Sequence, residues 1–140
     1  DVENPLAPVY VATHTIEDDA ENLSLAFHNP NVLFVGRDDE DGTPLVVLNA
    51  ANPGSMTELS IIQTGGDVLD VVCVEGNLLF VGTENSNEEF MIMNIADLGA
   101  IVVHASINFP QVTSGLDFAD NMVFAAVRSN DAIRIISAGP

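Results

Sequence analysis

The residues of this chain best suited to chemistry are carboxylates held in short loops. The stretch Gly36-Arg37-Asp38-Asp39-Glu40-Asp41-Gly42-Thr43-Pro44 stands between two apolar runs and reads as a loop. Calcium takes about six to eight oxygen ligands from flexible acidic loops. Asp38, Glu40 and Asp41 beside Gly42 would furnish some of them, which makes this loop a candidate calcium site and calcium the candidate cofactor. It is not a full EF-hand loop, which needs a bidentate Glu at its last position, and a solvated turn is the competing reading. Two further acidic runs, Glu17-Asp18-Asp19-Ala20-Glu21 and Glu84-Asn85-Ser86-Asn87-Glu88-Glu89, carry weaker versions of the same signal. Brought to one side of the molecule, such loops make a negative patch.

Other chemistry finds less support. His14, His28 and His104 have no His or Cys at metal-ligand spacing. The carboxylates offer no recognisable acid and base pair. The sequence contains no Gly-Xaa-Ser-Xaa-Gly elbow, no phosphate-binding P-loop and no Gly-rich dinucleotide fingerprint. Cys73 sits in the apolar run Val71-Val72-Cys73-Val74 and reads as a small buried hydrophobe. A single cysteine gives no disulfide framework. Asn22-Leu23-Ser24 matches a glycosylation triplet, but Leu23 opens an apolar run. Met91 and Met93 alternate about Ile92, a packing pattern. The chain is therefore not expected to be an enzyme.

Composition narrows the partners. Of 140 residues 47% are apolar, enough for a real core at this length, and no apolar run approaches the roughly 20 residues of a membrane-spanning helix. The formal charge is −18, with no Lys and only Arg37, Arg128 and Arg134 as permanent cations. Nucleic acid needs several cations on one face to neutralise phosphates, so it is excluded as an expected partner, and so is membrane insertion by this segment. The acidity suits a divalent cation, a basic partner or a salty medium. The chain opens on Asp1, with no Met and no secretory apolar core, and is expected to start at a processed or truncated point.

The elements that must carry these loops come from a repeat. Asn31-Val-Leu-Phe-Val-Gly36 recurs as Asn77-Leu-Leu-Phe-Val-Gly82 and, weakened, as Asn121-Met-Val-Phe-Ala-Ala126, at steps of 46 and 44 residues. That period suits a four-stranded propeller blade. Before each copy lies a short apolar stretch and a tight turn, the pattern of a β-hairpin. After it come a polar loop and a third β-rich run (Leu45 to Leu48, Phe90 to Ile95, Ala132 to Ile136), then a fourth (Leu59 to Ile62, Ile101 to Ile107). Asn52-Pro53 before one fourth run reappears as Asn4-Pro5 before Val9-Tyr10-Val11. The spacing thus predicts one β-propeller segment over 1–140: a leading fourth strand at 6–15, repeat one at 23–63, repeat two at 68–107 and a partial repeat three at 115–137. Those runs amount to about three four-stranded antiparallel blades, an all-β, propeller-like fold. Closed propellers hold about four to eight blades, so this incomplete ring needs another copy or more chain.

The third runs and their sequels, Leu45-Val-Val-Leu-Asn-Ala-Ala-Asn-Pro53 and Phe90-Met-Ile-Met-Asn-Ile-Ala-Asp97, resemble the LVIVD repeat, in which an apolar strand and a polar residue lead into Asn-Pro or Asp-Pro. The second runs are similar to that family's Gly-Asn-Tyr-Ala-Tyr-Val-Ala strand, with Leu and Phe in place of the Tyr pair. The resemblance implies a bacterial or archaeal surface or secreted protein with no shared catalytic residues. The expected function is a non-catalytic extracellular binding or scaffolding module of a cell-surface or filament assembly. It would act through strand pairing or propeller loops, as a dimer, an open-ended assembly or part of a longer chain. The alternative is a propeller-type hydrolase or a small-ligand or calcium-binding protein.

Overall fold

Short β-branched runs punctuated by Gly, Asn, Asp and Pro favour strands over helices. In the computed structural model they form eleven β-strands and no α-helix among the described residues, which are 6–16, 19–28, 30–38, 42–74, 76–128 and 133–137, with backbone alone at 72–74. Strands β1 (Asn22–His28), β2 (Val32–Arg37), β3 (Leu45–Asn49) and β4 (Thr57–Ile62) make sheet one in chain order. Sheet two repeats the order with β5 (Val68–Val74), β6 (Leu78–Thr83), β7 (Phe90–Asn94) and β8 (Val102–Ile107). Sheet three has three strands, β9 (Thr113–Ala119), β10 (Met122–Val127) and β11 (Ile133–Ser137), with β10 in the middle. Neighbouring strands are antiparallel throughout. No helix among the described residues is long and apolar enough to cross a membrane.

The sequence repeat is also a repeat of turns and registers. In sheets two and three the first hairpin turns at Gly76-Asn77 (φ 82° and 61°) and Asp120-Asn121 (φ 52° and 60°), two successive left-handed residues as a type I′ turn requires. Each link from third to fourth strand is a pair of side-chain caps. Asn49 Oδ1 accepts from the Ala51 N–H and Asn52 Oδ1 from Gly54, while Asn94 Oδ1 accepts from Ala96 and Asp97 Oδ1 from Gly99. The Asn and Asp of the repeated motif are therefore turn-makers. Both fourth strands carry a bulge at one place, Leu59 between the pairs Leu48↔Glu58 and Val47↔Ser60, and His104 between Met93↔Val103 and Ile92↔Ala105.

The sheets stack face to face, and their closest approach is made by first and second strands. Phe34, Leu45 and Val47 of sheet one meet Leu79, Val81, Met91 and Met93 of sheet two. On the other side of sheet two, Phe80 and Phe90 meet Phe109, Val123, Ala125 and Val127, with ring centroids 5.9 Å apart for Phe80–Phe90 and 6.3 Å for Phe90–Phe109. A glycine sits at each crossing. A Cβ at Gly36 would meet Ser24 Oγ and the Val68 carbonyl oxygen, and one at Gly82 would meet the Thr113 side chain and carbonyl oxygen at 2.9 Å.

Residues 6–15, where the sequence predicts a leading strand, belong to no strand. Ile16 instead packs on Val35, Val46 and Leu48, on the face of sheet one turned away from sheet two. β11, the last strand of the partial third repeat, is in sheet three, with sheet two between.

Candidate functional site: the open end of the sheet stack

Of the predicted calcium loop the structure describes only its beginning and end; Glu40 and Asp41 lie outside the described residues. Asp38 is half-buried, and its Oδ1 accepts from the Glu21 N–H at 2.9 Å while its own N–H donates to the Glu21 carbonyl at 3.1 Å. That carboxylate therefore latches the approach to β1 onto the end of β2. Arg37 does the same from inside. Only 1% exposed, its guanidinium donates to Asn22 Oδ1 at 3.0 Å, Thr43 Oγ1 at 2.7 Å and the Ala20 carbonyl at 2.8 Å. Among the described residues no group of three or more His, Cys, Asp or Glu side chains is arranged to hold a metal ion.

The carboxylates of sheet two serve as acceptors between elements. Glu89, 4% exposed, accepts from the Phe109 N–H through Oε2 at 2.8 Å. Asp70 accepts from Val71 through Oδ1 at 2.9 Å and from Leu116 through Oδ2 at 2.6 Å, tying β5 to β9. Glu88 Oε1 accepts from the Ser106 hydroxyl, and the exposed Glu84 pairs with Arg128 at 3.4 Å. A buried backbone N–H left without an acceptor costs about 1–3 kcal/mol, so Glu89 and Asp70 carry a structural duty at Phe109 and Leu116. The sequence signal for Asp70 was present, a lone carboxylate in the apolar run Leu69-Asp70-Val71, but only the neighbouring sheet shows its partner.

What the fold leaves unfinished is its two ends. β11 is the edge strand of sheet three, with no fourth strand beside it among the described residues. Its Ile133 is 69% exposed and Ile135 is 63% exposed, on the face away from sheet two. At the other end Leu25 and Phe27 of β1 are 64% and 61% exposed. Beside them a groove of about 500 Å³ runs over the free face of sheet one, walled by His14, Ile16, Leu23, Leu25, Leu33 and Met56 among others. Leu6 (93%), Tyr10 (77%) and Val11 (63%) of the leading segment lie open to solvent. Exposed apolar faces and an open strand edge invite pairing with another chain. His28 ends β1 half-buried and His104 is exposed at the β8 bulge, so the three histidines occupy separate places.

No family model matches the chain. No curated protein matches it either.

Proposed function

We propose that the chain is a non-catalytic scaffolding module of an extracellular or cell-surface assembly, built as three blades of an LVIVD-type β-propeller and completed by further copies of itself. One observation carries the reading: among the described residues sheet three has three strands where sheets one and two have four, and β11 is its edge. Support for the propeller arrangement comes from the fan of the sheets, whose first strands β1, β5 and β9 lie against one another in succession. Support for a scaffolding role comes from the carboxylates that the described contacts engage as backbone acceptors. The free faces of sheets one and three are the two sides that a neighbouring copy would cover. Association works against a charge of −18 on each copy, so it strengthens as salt screens that repulsion.

Electron microscopy of the purified chain at physiological ionic strength tests this directly. The expected field contains rings of two or more copies, or open filaments. A field of well-folded particles of single-chain size overturns the reading.

A further inference from the structure

We propose that β11 takes as its fourth strand the segment 9–14 of a second copy, antiparallel, with Val11 as the bulged residue; this rests on the self-assembly reading above. The complete sheets supply the register. In sheet one Asn49 stands opposite Thr57 and Leu45 opposite Ile62; in sheet two Asn94 stands opposite Val102 and Phe90 opposite Ile107. Both fourth strands begin after the same capping pair, with Asn52 and Asp97 at equivalent places, each five residues before the first paired residue. Asn4 takes that place in the leading segment. Counting from it puts the first paired residue at Val9 and the bulge, which is Leu59 in β4 and His104 in β8, at Val11.

The acceptor side aligns through the repeat. Gly36 pairs with Leu45, Gly82 with Phe90 and Ala126 with Ile133. In the completed sheet Tyr10 then stands opposite Ile136, Ala12 opposite Ile135 and His14 opposite Ile133. Val9, Tyr10 and Val11 fit an outer strand, since the corresponding Val102, Val103 and Leu59 are also apolar and 45–57% exposed.

One observation favours a second copy over the segment's own chain. His14 and Ile16 are seated on the groove of sheet one, two sheets away from β11. The Tyr10 and Thr13 hydroxyls are hydrogen-bonded to each other, a contact that a strand forbids because residues three apart point to opposite faces. The segment must therefore leave this seat and straighten to enter a sheet.

The test mixes two singly substituted full-length chains, each carrying Cys73→Ala: one with Ala12→Cys, the other with Ile135→Cys. Any disulfide between them joins two copies, and directly opposed strand residues have the spacing a disulfide needs. Under thiol exchange the mixture is expected to form at least about tenfold more covalent dimer than either chain alone, and more than a mixture in which Thr13→Cys replaces Ala12→Cys, because successive strand residues point to opposite faces. Equal linking at both positions, or no linking while each chain retains the assembled mass of the parent, overturns this strand assignment and leaves self-assembly standing. If the parent itself has single-chain mass, self-assembly and the assignment both fail. Deleting residues 6–15 is the second readout: loss of assembly with unchanged far-ultraviolet circular dichroism is expected, and full retention contradicts the proposal.

Discussion

Replacing Gly82 with Ala is expected to lower the stability of the fold by about 1–3 kcal/mol, the usual cost of forcing a methyl into a packed interior. The position has an ordinary negative φ, so the effect is steric. Built onto Gly82, a Cβ would stand 2.9 Å from the Thr113 carbonyl oxygen and 2.9 Å from its methyl. A methyl can rotate or retreat, whereas the carbonyl belongs to the first strand of sheet three and moves only if the sheet moves. Because Asp70 holds that strand through Leu116, the shift also strains a hydrogen bond between sheets. Gly99→Ala is the control, since an added Cβ there comes no nearer than 3.4 Å to the Asp97 carboxylate. Urea unfolding at one fixed protein concentration reads both variants. A Gly82→Ala midpoint equal to that of the parent contradicts the close crossing of sheets two and three.

Arg37→Met is expected to cost on the order of 3 kcal/mol, because it keeps the apolar stem but leaves the buried Ala20 carbonyl and two part-buried acceptors without their charged donor, and hydrogen bonds to charged groups contribute about 1.5–3 kcal/mol each. The guanidinium spans three segments, reaching Ala20, Asn22 and Thr43. Methionine fills the volume and bonds none of them. The approach to β1 loosens, and with it the latch between Glu21 and Asp38. Arg128→Met provides the comparison: its ion pair with Glu84 is largely exposed, and exposed pairs contribute little. Equal unfolding midpoints for the two variants contradict the anchoring role of Arg37.

The contrast between these two arginines marks where sequence reading stops. Each copy of the motif ending at Gly36, Gly82 and Ala126 announces a strand, and the observed strands β2, β6 and β10 begin one residue after the leading Asn and end one residue beyond that position. Local signals suffice there because apolar alternation and left-handed Asn turns act within a few residues. Burial of Arg37 depends on residues 15 and 17 positions earlier in the chain, which no local pattern reveals. The partners of the carboxylates are out of local reach for a related reason. Asp38, Asp70 and Glu89 are acidic in composition, but their oxygens take up backbone N–H groups from other elements. The leading strand was readable as a strand-forming segment, yet a strand exists only with a partner edge, and the chain places residues 14 and 16 on sheet one instead.

Absolute mass in solution, by light scattering across a concentration series, tests the self-assembly of this chain most directly. The expected result is a mass of at least twice the 14.8 kDa of one chain, rising with concentration and with salt. A constant mass of one chain at every concentration and ionic strength, in a protein that unfolds cooperatively, would contradict it.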